Sequence, residues 1–266
     1  MTLADIQQAL IDNGKKIYEL PDYVLDLGDP WTLTGDWMIV GDVHSPTVNW
    51  GFSSLVTQVA MKHMEEPRRL IIAGDLFNAD AFSSFAPTVQ HPTWAQERDA
   101  TRALLQEWLT VFSEIRLIMG NHERRIQRFT LGAFDTADIL ALLISNPDRA
   151  KLSGYSYCMI NTPGGTWRVT HPLRYRQNPL SVANSLAITK QMNIISFHEH
   201  HIGISMDSSG KYVIANGGTL ADHTKIPYMV LADDTKPQNK TGFTMLKNGA
   251  AYIFGDAPLT DWSFWL

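Results

Sequence analysis

The sequence predicts an α/β fold, and three observations predict it. Three apolar runs, 37–40, 69–73 and 115–119, read as buried strands, and each runs into a glycine followed by Asp or Asn. Helical periodicity fills the stretches between them, which implies βαβ units. No internal repeat or low-complexity linker interrupts the 266 residues. One domain is therefore expected over 1–266, with 1–30 as a helix and lead-in packed on it.

Each element has a local reason. Thr2 and Asp5 have the spacing of a helix-opening pair, and Leu3, Ile6 and Leu10 share a face, so 2–13 reads as a short amphipathic helix. Phe52, Leu55, Val56 and Val59 repeat at helical spacing after the first strand. Thr93 and Gln96 open a longer helix whose stripe is Leu104, Trp108 and Phe112. Beyond about residue 150 strands dominate. Runs 154–160 and 166–171 flank the turn Pro163-Gly164-Gly165; 194–197 and 212–215 are further strands; 181–188 reads as a helix. Asn248-Gly249 turns a hairpin between 244–246 and 251–254. The connections 79–93 and 219–240 are long enough to act as lids. Trp262, Phe264 and Trp265 are expected to anchor the tail, with a dimer contact as the alternative.

Composition narrows the function. A net charge of −5 excludes a broad basic face, but not a local basic patch. Cys158 is the one cysteine, so no internal disulfide forms and a reducing compartment is expected. The sequence has neither an apolar span of membrane length nor a secretory leader, so a cytoplasmic location and no membrane partner are expected.

Metal-ligand chemistry is concentrated in five short stretches: Gly41-Asp42-Val43-His44, Gly74-Asp75-Leu76-Phe77-Asn78, Gly120-Asn121-His122-Glu123, Val169-Thr170-His171 and His198-Glu199-His200. Three follow apolar runs directly, where strand ends present ligands together. Asp42 and His44 are two apart, as are His198 and His200, so on extended backbone each pair points one way. Asp75 has two oxygens and can bridge two cations. Asn121 adds a hard amide oxygen and His171 a further nitrogen. Seven ligands of this mixture suit a binuclear centre that keeps positions open for water and substrate.

The order D-x-H, G-D, G-N-H-E, H, H-x-H over 37 to about 201 resembles the calcineurin-like metallophosphoesterases. The resemblance implies a four-layer αββα sandwich, with two mixed β-sheets flanked by helices. It implies two divalent metal ions, manganese first, with Mg2+, Zn2+ or Fe as alternatives. By position, Asp42, His44, Asp75 and His200 would hold one metal, and Asp75, Asn121, His171 and His198 the other. A metal-bridging hydroxide would attack phosphorus, with His122 as general acid.

Two positions depart from that pattern. Asn78 stands where the family often has Asp, and is expected to orient His122 by a hydrogen bond without the charge of a carboxylate. Phe197 replaces the Gly of G-H-x-H, and is expected to alter the loop backbone or wall the site. Arg125 and Arg174 are the preferred substrate-binding arginines among several that follow the third and fourth motifs. Glu123 is read as a supporting residue; His63, His91 and His223 are read as surface histidines.

The resulting expectation is a two-metal phosphoester hydrolase, a phosphodiesterase or nuclease acting on a phosphoester such as a nucleotide or nucleic acid. A phosphomonoesterase, including a phosphoprotein phosphatase, is the first alternative. A metal-binding scaffold with little activity is the second.

Overall fold

The computed structural model describes residues 28–83, 92–144, 148–226, 239–256 and 259–266, with Asp5, Gln8 and Asp12. The helix expected over 2–13 otherwise lies outside the described residues, as do His91 and the middles of both long connections.

Two six-stranded mixed sheets stack face to face. The strands are β1 (Thr32–Thr34), β2 (Trp37–Val40), β3 (Arg69–Ala73), β4 (Glu114–Ile118), β5 (Ala150–Ser153), β6 (Tyr157–Thr162), β7 (Gly165–Thr170), β8 (Asn193–Ser196), β9 (Ile202–Met206), β10 (Val213–Gly217), β11 (Gly242–Lys247) and β12 (Ala250–Gly255). One sheet has the order β12-β11-β2-β3-β4-β5, the other β1-β6-β7-β8-β10-β9. β2, β3, β4 and β5 run parallel, as do β7, β8 and β10, so each sheet delivers several strand ends to the rim that carries the motifs.

The period-2 alternation of the central strands decides the layers. Trp37 and Ile39 of β2, with Ile71 and Ala73 of β3, face Cys158, Val169 and Ile195 of the other sheet. Met38, Val40, Leu70 and Ile72 point the opposite way, into a core shared with helices. Both faces of these strands are buried, which is why they read as continuous apolar runs. Helix α1 (Trp50–His63) is capped by Asn49, whose side chain accepts from the Phe52 N–H. Helix α2 (Trp94–Val111) starts with the expected Thr93/Gln96 capping box. Helices α3 (Glu123–Phe129) and α4 (Thr136–Leu143) follow β4, and both were missed by periodicity because each is only about two turns long. Helix α5 (Ser181–Lys190) covers the outer face of the second sheet through Ala183 and Ala187. Helix α6 (Trp262–Trp265) anchors the tail: Trp262 meets Phe52 and Phe254, and Trp265 meets His63 and Phe254. This is the four-layer αββα arrangement. Among the described residues no helix is long and apolar enough to cross a membrane.

Phe197 corrects one expectation. Its ring does not wall the site but lies 1% exposed in the core between the sheets. A methyl group at Gly41 or at Gly217 would overlap that ring, so the two glycines and the phenylalanine fill one space together. Replacing Gly217 by Ala should lower stability by about 1–3 kcal/mol through overpacking, and Phe197→Ala by about 3–5 kcal/mol. In denaturant titrations the double variant should cost less than the sum, because each change relieves the other. Strict additivity would contradict the shared space.

Candidate metal centre and its cavity

The five motifs meet at one rim. Gly74 has φ +80°, and a Cβ there would stand 2.7 Å from His171 Nδ1 and 2.8 Å from the Gly120 Cα. A Cβ at Gly120 would overlap Asp75. The two glycines thus allow the β3 and β4 turns to touch each other and the second sheet. Glu123, fully buried, ties them together. It accepts from the backbone N–H groups of Asp75 (3.0 Å), Leu76 (2.8 Å) and Gly120 (2.8 Å), the supporting role the sequence suggested. Burial, and next the charge of Asp75, push its carboxyl up to about 7.

The ligand-type side chains do not sit on extended backbone. Asp42, His44, Asp75 and His200 have φ of 49–56°, and His198 has φ 80°. β2 ends at Val40 and β8 at Ser196, so simple strand alternation does not aim these residues. Left-handed turns do, at a conformational cost that surrounding hydrogen bonds must hold in place. His44 N donates to the Asp75 carbonyl (2.9 Å), and His198 N donates to Asp42 Oδ2 (2.8 Å).

The donor atoms converge in overlapping groups. Asp42, His44 and His200 form one; Asp42, Asp75, His171 and His198 form another; His44, Asp75 and His122 form a third. Both carboxylates are at most 2% exposed and each belongs to two groups. His171 shows what the arrangement lacks electrically. Its Nδ1 must donate, because its partner at 2.9 Å is the Ala73 carbonyl. Nε2 therefore faces Asp75 Oδ2 at 3.3 Å and Asn121 Oδ1 at 3.1 Å. His44 repeats the pattern. Nδ1 lies 3.0 Å from Asn78 Oδ1, so Nε2 turns toward His200 Nε2 (3.3 Å) and both carboxylates (3.9 Å each). Asp42 Oδ1 is buried without a well-aligned hydrogen bond, its closest ring nitrogen being His200 Nε2 at 3.3 Å. Acceptors that converge this closely in a buried place require a cation, either a proton or a metal. The nitrogen and oxygen donors suit a divalent ion, so the residues fit the metals that the family binds.

The protonation pattern follows. Burial opposes ionisation of Asp42, but His200 and His171 overcome it and hold the carboxyl at about 2. Burial also pulls His171 down, yet the charges of Asp75 and Asp42 raise it to about 10. His198 falls to about 4 through burial and the neighbouring His171. His44 lies well below its usual range, through burial and then His122.

Asn78 acts differently from the expectation. Its backbone carbonyl, not its side chain, receives His122 Nδ1 (2.6 Å) and Arg125 Nη1 (2.8 Å). The side chain serves His44 instead. Arg125 Nη2 lies 3.2 Å from His122 Nε2 and can only donate, which makes that nitrogen an acceptor. Burial, opposed by Asp75 and assisted by Arg125, lowers the His122 pKa. The buried carboxylate of Glu97 braces the next residue by accepting from the Ala79 N–H.

A cavity of about 550 Å³ opens beside the cluster, and Asn121, His198, Arg125, Arg128, Phe129 and Leu173 contribute to its wall. Arg125 is thus brought to the site. Arg174 is exposed and does not contribute to the wall. Arg128 does, although no feature of the motif favours it over its neighbours. His223 was missed. Far from being a plain surface residue, it stacks on His200, with its Nε2 3.1 Å from His200 Nδ1. No motif spacing marks it; only the return of the chain after β10 brings it there.

Two stacked mixed sheets with a buried nitrogen-oxygen donor cluster at their common rim define an α/β protein with a candidate metal-binding site. The family model described as calcineurin-like phosphoesterase matches residues 36–255, and the chain belongs to that family. Similar solved structures include a hypothetical protein from Pyrococcus horikoshii OT3, with 9% identity over 88% of this chain and 91% of that one, TM-score 0.48. Others are Vacuolar Protein Sorting 29 from Cryptosporidium parvum (12% identity, 84% and 96% covered, TM-score 0.42) and Vps29 complexed with Zn2+ from Entamoeba histolytica (13%, 83% and 98%, TM-score 0.39). No curated protein sequence matches the chain.

Metal loading should displace the His171 proton, because His44 and His198 are already neutral at pH 7.5. Calorimetric titration with Mn2+ in buffers of different ionisation enthalpy should report about one proton released per loaded protein. His171→Asn should release fewer, and affinity should tighten as pH rises toward 10. A binding enthalpy independent of buffer would contradict the assignment.

Proposed function

We propose that the protein is a metal-dependent phosphodiesterase, and that its substrate is a phosphodiester with a bulky second ester arm. The convergence of acceptors on His171 Nε2 and Asp42 Oδ1 supports metal binding most strongly. The open cavity beside Arg125 and Arg128 leaves room for an ester arm next to the phosphate position, which supports a substrate with a bulky group. The chain is read as one domain, 1–266, with 1–30 as its lead-in. Its one cysteine, Cys158, is buried, and a cytoplasmic setting is part of the same proposal.

Asp42, His44, Asp75 and His200 would hold one cation, and Asp75, Asn121, His171 and His198 the second. When bound, the cations would supply Lewis acidity toward water and the phosphate oxygens. The remaining work belongs to side chains. Arg125 presents Nη2 at the rim, where a phosphate oxygen can replace His122 Nε2 as its acceptor. His122, freed at Nε2 and still anchored through Nδ1 to Asn78, can then take up a proton there and hand it to the departing oxygen. With its basicity lowered by burial, His122 matters most when the leaving group is poor.

Purified protein with Mn2+ should hydrolyse bis-p-nitrophenyl phosphate in preference to p-nitrophenyl phosphate. Asp75→Asn should remove at least about 100-fold of that activity by disturbing both metal positions. His122→Asn should cost about 100-fold or more on an alkyl-ester leaving group but much less on p-nitrophenolate, which needs no proton. Preference for the monoester would favour a phosphomonoesterase. Two bound ions with no turnover would favour a scaffold. Cleavage of labelled single- or double-stranded DNA would make the enzyme a nuclease.

A further inference from the structure

An aromatic ladder ends on the wall of the cavity, which Phe82 and Phe129 line together with Asn121 and His198. Phe77, in the core, meets Trp94 (5.7 Å between centroids); Trp94 meets Phe82 (5.1 Å); Phe82 meets Phe129 (5.2 Å). Every contact is edge-to-face. The ladder therefore runs from a fully buried ring to Phe129, which is 64% exposed at the end of α3. Leu173, 68% exposed, stands on the wall of the same cavity. Isolated exposed hydrophobics carry little meaning, but two on one cavity wall, with one propped by a rigid ladder, mark a contact surface.

The charge beside this surface points to the ligand. Arg128 is exposed and donates only to backbone carbonyls, those of Arg124 and Asn121 (3.3 Å each). Among the described residues it has no carboxylate within ion-pair distance. Arg125, one helical turn earlier, is paired with Asp80 at 3.3 Å. A protein of net charge −5 thus places an exposed guanidinium on the same cavity wall as Asn121, a proposed metal ligand, and an exposed aromatic ring. A flat aromatic group next to a phosphate fits both features, because aromatic side chains stack on bases while arginine takes the phosphate.

We propose that the cavity is a nucleobase subsite: Phe129 stacks a base attached to the scissile phosphodiester, and Arg128 compensates the phosphate charge. This rests on the phosphodiesterase reading and narrows its substrate class to nucleotidyl diesters.

The test compares dithymidine phosphate with a counterpart lacking both bases, using Mn2+-loaded protein. Binding of the methylphosphonate versions of both, which resist hydrolysis, is followed by calorimetry. The bases should raise kcat/KM and tighten binding by about tenfold. Phe129→Ala should shrink both gaps to less than about threefold, while Arg128→Ala should weaken the charged diesters with and without bases alike. Equal binding of base-bearing and base-less ligands, or a gap that survives Phe129→Ala, would overturn the subsite. Bis-p-nitrophenyl phosphate separates the two readings. Its hydrolysis without any base preference removes this inference alone; base preference in binding without its hydrolysis removes the phosphodiesterase reading alone.

Discussion

Two carboxylates, Asp42 and Asp75, are buried at the rim where both sheets end, and nearly everything around them answers that constraint. Burying such charges costs several kcal/mol each unless opposite charge is close by. Imidazoles reach them from both sheets, His44 and His122 from the first, His171, His198 and His200 from the second, and among these the carboxylates raise the basicity of His171, which supplies positive charge. A proton on His171 balances the cluster when no metal is bound. A divalent ion would balance it better, because it satisfies Asp42 Oδ1 and the lone pairs of several rings at once. The left-handed turns and the close glycine contacts are local costs that this convergence imposes.

Behind the donors, a quieter layer fixes their direction. Glu123 gathers three backbone N–H groups from the second and third motifs. Asn78 directs His44 with its side chain, and His122 and Arg125 with its carbonyl. A side-chain carbonyl and a main-chain carbonyl from one residue thereby fix the tautomers of two imidazoles. Burial lowers the basicity of His122, and its Nε2 accepts from Arg125, so in the proposed reaction one guanidinium would link proton transfer to phosphate binding.

Much of this was legible in the sequence. The central strands could be read because both their faces are buried, and the first three motifs could be read because each follows such a strand directly. The hairpin at Asn248-Gly249 and the Thr93/Gln96 cap are local signals with local causes. The misreadings have a common origin in tertiary contact. Phe197 looked like a site wall because its neighbours in sequence are ligands, whereas its space is defined by Gly41 and Gly217, distant in the chain. Asn78 was judged by its side chain, but its carbonyl carries the contact with His122. His223 and Arg128 carry no spacing signal, and Arg174 carried a promising one that the fold turns outward to solvent.

In the metal centre proposed here, two cations share the buried carboxylates. Crystals grown with Mn2+ and measured near its absorption edge would test it most directly, through anomalous difference density. Two peaks are predicted, one among Asp42, His44 and His200 and one among Asn121, His171 and His198, with Asp75 reaching both. A single peak, or density outside these residues, would contradict the account.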